Sequence, residues 1–434
     1  MLPLRENTRI MVRQLFLIIS IFTGSITTLQ AQNKLLTDKK LASKPVYRSY
    51  DELDVSNKKV YKLNLDGKNL NAVPEEISKM VNLQELYLRN NNITFIPDWI
   101  FELTNLQKLM IGENNIQAVQ PEIGNLVNLI EFDVFDNEIT ELPNEIGRLS
   151  QLKKIDASWN NITNLPDSIA RLKNLEIIYL EKNNLESLPE NIGECTSIKE
   201  IKLRENKLAS LPASFGELVS VSQLDISKNK LKKLPGEINA LINLEVLNVS
   251  NNQITELPED LSGLTRLKEL NISTNKIRKI VENSINLSSL EKLDASINEI
   301  SFLNFNYDKL TNIETIELEL NMIVYPEKLY NLKSLKSLNL ARNNIERVEG
   351  SIAGLTQLEY LYLNKNKIYS VTRSIGELKA LKYADFSNNS IMLMPKEMES
   401  LSLLSELHLE NNRLSDFQRK NVKKYVPSTT QVFF

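Results

Sequence analysis

Apolar and polar positions along the chain follow a frame that returns every 23 residues. In the copy "LQELYLRNNNI" (83–93), Leu86 and Leu88 alternate with Glu85, Tyr87 and Arg89. Alternation of period two predicts a short strand with one buried face. The frame starts again at Leu106, Leu129 and onward to Leu404, with one interval, Ile313 to Leu335, of 22. A degenerate copy, "VYKLNLDGKNL", starts at Val60 and has Lys68 where the others have asparagine. The count is sixteen units, fifteen with the asparagine.

That asparagine closes each strand. Its amide offers two donors and an acceptor, enough to satisfy backbone groups exposed where the chain bends away. Asn91, Asn114, Asn137, Asn160, Asn183, Asn206, Asn229, Asn252, Asn275, Asn298, Asn321, Asn343, Asn366, Asn389 and Asn412 should therefore form a structural ladder. The second half of a unit reads as in "ELPNEIGRL" (141–149). Its proline (143, 166, 189, 212, 235, 258) lacks an N–H and suits the start of a short helical turn. Ile146 and Leu149, three apart, give that turn one apolar side. A strand inside and a short helix or 3₁₀ turn outside, stacked sixteen times, makes a solenoid with one continuous core.

Over about residues 60–417 the repeat resembles the leucine-rich repeat family. The "LPxxIxxLxxL" half is similar to the 23-residue class of Ras-binding and Scribble-like scaffolds, and to secreted proteins of Bacteroidetes and Leptospira. The resemblance implies an α/β repeat fold: a right-handed horseshoe, its parallel β-sheet concave, its short helices or 3₁₀ turns convex.

The ends differ from the repeat. Residues 1–31 read as a secretory signal, with Arg5, Arg9 and Arg13 before the apolar run Leu15 to Ile26 and Ala31 at the cleavage position; Met11 offers an alternative start. Residues 32–59 are expected to be a linker and an N-terminal helical cap, with Ser49 and Glu52 at capping-box spacing. The solenoid is assigned to 60–414 and a helix–strand cap to 415–434, where Ser415 and Gln418 repeat that spacing, 416–425 reads as a helix and "TTQVFF" as a last strand. The frame weakens between Lys276 and Pro326, which is read as a change of curvature within one domain.

Composition narrows the chemistry. Hydrophobic residues are 42% and charged residues 25%, the balance of a globular protein. A formal charge of −3 argues against nucleic acid, which needs a basic face. One cysteine, Cys195, permits no internal disulfide and no paired-cysteine zinc site. It fills a slot held by Leu149, Leu172 and Leu218 elsewhere, so it reads as core. The single histidine, His408, excludes a histidine-rich metal site. No cofactor, metal or membrane-spanning anchor is expected, and the oligomeric state stays open.

A ligand would meet the third, fifth and seventh residues of each frame, which point off the core, and the eighth at the strand's end. These places are expected to be free of folding duty. Middle units fill them with Asp225 and Ser227, Asn248 and Ser250, Asn271 and Ser273, read as a solvated default. Two regions depart from it. Tyr87, Met110, Asp133, Phe135, Asp156, Trp159, Ile177 and Tyr179 form an aromatic–acidic patch on five successive units, or roughly 20 Å. Tyr360, Tyr362, Tyr383 and His408 form a second. Glu314, Glu317 and Glu319 near Asp294 read as a solvated acidic face. The expected function is non-catalytic recognition of a protein partner by an exported protein, periplasmic, cell-surface or extracellular. Glycan binding by the same patch and a structural envelope role are the alternatives.

Overall fold

The structure is a computed structural model, and it describes residues 35–49, 59–281, 285, 287–304 and 307–434. Residues 1–34 and Glu52 lie outside that set, so the secretory signal and the first capping box do too.

Each unit contributes one three-residue strand from its third to fifth places: Lys62–Asn64, Glu85–Tyr87, Lys108–Met110 and so on to Glu406–His408. Each pairs in parallel with the strand of the next unit, like place to like place, Leu86 opposite Leu109 and Leu109 opposite Phe132. The result is one sheet of 17 strands. The seventeenth is Gln431–Phe433, which pairs with Glu406–His408. This is the leucine-rich repeat solenoid that the period dictates.

The short helices opposite the sheet are 3₁₀ turns such as Glu75–Lys79, Asp98–Glu102 and Asn144–Arg148. The proline stands one place ahead, and its carbonyl accepts the first turn's N–H: Ile77 from Pro74 at 3.2 Å, Ile146 from Pro143 at 3.0 Å. Between sheet and turns the apolar places, such as Leu86, Leu88, Ile93, Ile96 and Ile100, are fully buried in one contiguous core. Each such side chain contributes roughly 1.5–3 kcal/mol gross.

The irregular stretch has a local explanation. Most units carry proline at the fifteenth place, where no N–H is available. Gln120 and Gln418 stand there in two other units, and the irregular half of the chain has Val281, Asn304, Glu349 and Thr372. There a second parallel pairing forms, away from the main sheet: Lys279–Ile280 with Phe302–Leu303, and Arg347–Val348 with Ser370–Val371. Two of these N–H groups close it. Asn304 N–H reaches Ile280 O at 3.0 Å, and Thr372 N–H reaches Val348 O at 3.1 Å. The missing residue of the 22-residue unit is absorbed at Pro326, whose ψ of 3° departs from the extended ψ of Pro143 or Pro166. Sheet register across it is intact, Ile316 opposite Leu338. A second ladder and a re-aimed proline are what the weakened frame encodes.

Both ends of the core are covered. Tyr47 bridges to Leu63 ahead of the first strand, and the helix Asp38–Ala42 precedes it with Leu41 buried. At the other end Ser415 Oγ accepts from Gln418 N–H and starts the helix Asp416–Tyr425, which buries Val422. No helix of the described residues is long and apolar enough to cross a membrane.

Candidate binding surface

The asparagines tie one unit to the next. Asn229 Nδ2 donates to Leu203 O, Ile226 O and Ser227 O at 2.9–3.2 Å, and its Oδ1 accepts from Leu208 N–H at 3.0 Å. Asn91 through Asn412 repeat the arrangement.

Two of the places read as free in fact serve the fold. At the fifth place, Asp225, Asn248, Asn271 and Asp294 accept the N–H of the seventh residue at 2.8–3.1 Å, which turns the chain at the strand's end. The seventh-place serines are not solvated; Ser227 and Ser250 are buried. The eighth place is left-handed in every unit, with φ between 51° and 64°, from Gly67 and Asn90 to Asn411. Glycine and asparagine tolerate that conformation; other side chains are disfavoured by about 1–2 kcal/mol, β-branched ones most.

Trp159 occupies this left-handed place at φ 57° and is 45% exposed. Its ring packs against Phe135, centroids 6.1 Å apart, and Lys182 Nζ lies 3.2 Å from its centre. Tyr179 lies between two more ammonium groups, Lys154 at 5.0 Å and Lys202 at 4.4 Å. The aromatic faces therefore carry cations, which the sequence reading missed. They stand at like or alternate places on neighbouring units, and that spacing is the signal that could have found them.

The acidic members of the patch behave differently from expectation. Asp133 is buried, 4% exposed; its Oδ1 accepts Phe135 N–H at 2.9 Å and its Oδ2 pairs with Arg89. Arg89 reaches across an intervening unit that holds Gly112 at the same place. A Cβ on Gly112 would meet Asp133 Oδ1 and Phe135 O at 3.0 Å, so the crossing needs glycine. Asp156 stands opposite Asp133 and its Oδ1 accepts Ser158 N–H; burial first, then the neighbouring Asp133 charge, raises its pKa. Both carboxylates are thus committed to strand ends. Met110, expected to face out, is buried at 7% beside Tyr87 and Asp133. Tyr87 and Ile177 are half-buried, and the Tyr87 hydroxyl donates to Glu85 at 3.1 Å.

The second patch is a continuous aromatic row. Tyr362 packs on Tyr383 (centroids 5.1 Å), Tyr383 on His408 (5.5 Å), and His408 stacks on Phe433 (4.5 Å, 9°). Tyr360 stands exposed beside it, opposite Tyr383 in the sheet. Phe433 was missed because its strand carries no repeat. His408 is held by Glu406 at 2.7 Å and Glu410 at 3.0 Å. Burial disfavours its charge, but these two carboxylates outweigh it and raise its pKa.

Elsewhere, Cys195 is fully buried, its Sγ 3.2 Å from Ile169 O, and burial pushes its thiol up to about 11. Glu314 and Glu319 pair with Lys336 and Arg342. Among the described residues no three acidic, histidine or cysteine side chains are placed to hold a metal ion.

Comparison with known proteins agrees with this geometry. A leucine-rich repeat model matches residues 58–115, 220–277, 242–300 and 324–368, and a leucine-rich repeat region model matches 121–226. A solved leucine-rich repeat protein of Leptospira interrogans is 32% identical with a TM-score of 0.78, over 90% of this chain and 100% of that one. The chain belongs to the leucine-rich repeat proteins, a family of protein-interaction scaffolds. The crystal structure of a TDR receptor is 26% identical, TM-score 0.67, over 85% of this chain and 67% of that one. An internalin of Listeria monocytogenes shares the fold at 22% identity and TM-score 0.57, over 77% of this chain and 88% of that one. No curated protein matches the sequence.

Proposed function

We propose that this chain is an exported, non-catalytic binding protein that recognises a protein partner through the sheet face of its first five regular units. One observation carries this reading: the aromatic side chains stand where the fold favours something else. Tyr87 and Tyr179 take the fifth place, where an Asp or Asn would close the strand end. Trp159 takes the left-handed eighth place, where glycine or asparagine would be unstrained. Residues that bring the scaffold no net gain and remain in reach of solvent are free to serve what they touch outside it. Together they offer rigid area of the kind that dominates binding hot spots. The likeness to a receptor structure supports the same class of role. The signal-like residues 1–31 support export.

The test is paired capture from native surroundings, with the wild-type chain and a Tyr87→Ala/Phe135→Ala/Trp159→Ala/Tyr179→Ala variant as baits. A protein crosslinked by the first and lost by the second supports the reading. Equal capture by both sinks the assignment to this patch. The stacked row Tyr362–Tyr383–His408–Phe433, lined by Glu406 and Glu410, favours glycan binding as the second reading. A glycan screen that loses its signals in Tyr362→Ala/Tyr383→Ala would establish it, and a flat screen would remove it.

A further inference from the structure

The loop that leaves the sheet, from the eighth to the thirteenth place of each unit, forms one rim of the solenoid. In the units starting at Leu129 to Leu244 this rim is polar apart from Trp159, with residues such as Glu138, Glu141, Glu186 and Lys232. Further along its character changes. Ile297 and Phe302 in one unit, and Leu320, Met322 and Tyr325 in the next, are all exposed, from 42% at Leu320 to 78% at Tyr325. The two loops are stacked directly: Asn298 N–H donates to Leu320 O at 3.2 Å, and Met322 N–H to Ile300 O at 2.9 Å. Like places on the stacked loops therefore bring Ile297 beside Leu320 and Phe302 beside Tyr325, with Met322 between the two pairs. Ile297 and Leu320 also sit in the left-handed eighth place, at φ 54° and 55°. The fold disfavours them there, and Ile, being β-branched, most of all.

Cations bracket the patch on the same rim. Lys276, Arg278 and Lys279 precede it, and Lys279 lies opposite Phe302 in the second ladder. Arg342, Arg347, Lys365 and Lys367 follow. The acidic residues of that stretch of rim are Glu299 and Glu346; Glu299 is engaged by Arg278 at 3.0 Å, and Arg342 by Glu319, one place before the rim, at 3.4 Å. Lys276, Lys279, Lys365 and Lys367 pair with no carboxylate among the described residues. A chain of formal charge −3 thus gathers positive charge around its exposed apolar rim.

We infer that this rim docks on a lipid bilayer bearing anionic headgroups. Lysine, the type of all four unpaired cations, is depleted at protein–protein interfaces. Apolar side chains flanked closely by Lys and Arg instead match an interface where the former enter the headgroup boundary and the latter meet phosphates. Phe302 and Tyr325 are of the type that settles at that depth. Each cation near such a surface contributes about fivefold in affinity and loses it to salt. Trp159, the residue the proposed partner surface shares with this rim, lies six units before Ile297, so the inference stands apart from the proposed function.

The experiment is cosedimentation of the full chain with vesicles of equal parts phosphatidylcholine and phosphatidylglycerol, against vesicles of phosphatidylcholine alone. Two variants are compared with the wild type: Phe302→Ser/Leu320→Asn/Met322→Ser/Tyr325→Ser, and Lys276→Gln/Lys279→Gln/Lys365→Gln/Lys367→Gln. Residues 1–34 are the same in all three. The wild type should bind the anionic vesicles, and each variant should bind about tenfold or more weakly at unchanged thermal midpoint. High salt should mimic the charge variant. Should the apolar variant fail to fold, the charge variant decides. Equal binding by wild type and variants, or no binding by the wild type, overturns the inference. Self-association lost in the apolar variant, without vesicle binding, would overturn it too and assign the rim to protein contact.

Discussion

Lys182 holds its ammonium 3.2 Å above the centre of the Trp159 ring, and both residues occupy the left-handed eighth place of their units. The two neighbours share one backbone constraint but meet it differently. Lys182 gains a ring to lie on, and Trp159 gains a cation and the Phe135 contact. Such contacts are worth about 0.5–1 kcal/mol for an exposed cation on a ring and about 0.5–1.5 kcal/mol for a ring pair. That is comparable to the left-handed penalty of about 1–2 kcal/mol.

This balance separates two substitutions at equivalent places. Ile297 has the same backbone conformation as Trp159, is 47% exposed and has no ring contact. Ile297→Asn should raise stability by about 1 kcal/mol, because asparagine accepts φ near 54°. Trp159→Asn should gain nothing, since relief of the backbone is offset by the two lost contacts. Urea midpoints of the two variants check this. A destabilised Ile297→Asn would show that the left-handed place carries no such penalty here.

The asparagine ladder sets a larger energy. Asn229→Ala leaves three carbonyls and the Leu208 N–H without the partner they have now. Buried groups left unsatisfied cost about 1–3 kcal/mol each before water or relaxation intervenes, so a net loss of roughly 2–4 kcal/mol is expected. In a stacked array the loss should appear as early exchange of amides in the units beside Asn229, with distant units less affected. Uniform loss of protection along the whole chain would contradict nearest-neighbour coupling.

His408 gives the fold a dependence on pH. Its pKa is raised from 6.5, so its protonated form is favoured in the folded chain. That stabilisation is complete below 6.5 and is lost as pH rises through the higher folded value. Stability should therefore decline as pH rises above 6.5 through the higher folded value, and His408→Gln should flatten that decline. An unchanged slope in the variant would remove the Glu406–His408–Glu410 cluster from the account.

How far the sequence could be read follows from which residues repeat. Leu86, Asn91 and Ile100 recur in frame, so strand, ladder and core were legible from period alone. The helix after Ser415 was legible from its cap spacing. Met110 was not, because alternation says which way a side chain points and not whether Tyr87 and Asp133 close over it. Asp225 and Ser227 looked solvated because short polar residues read the same in water and in a backbone turn. The constraint at the eighth place was present in Gly67, Asn90, Asn251, Asn388 and Asn411, yet the charged residues at equivalent places masked it. Phe433 lies in a strand with no copy elsewhere, so nothing in the frame could align it with His408. The rim patch was hidden for a related reason, since Phe302 and Tyr325 become neighbours only when units are stacked.

The second ladder has a mechanical consequence. A stack joined along its sheet and its asparagine ladder, both on one side, bends most easily by opening on the other. Where Asn304 and Thr372 supply a further bond, two units are stitched along a second line, and that flexure is blocked between them. Across 279–303 and 347–371 neighbouring units thus hold one more tie than the proline-bearing units do. Force or ligand binding that unbends the stack should meet its greatest resistance across those two splints.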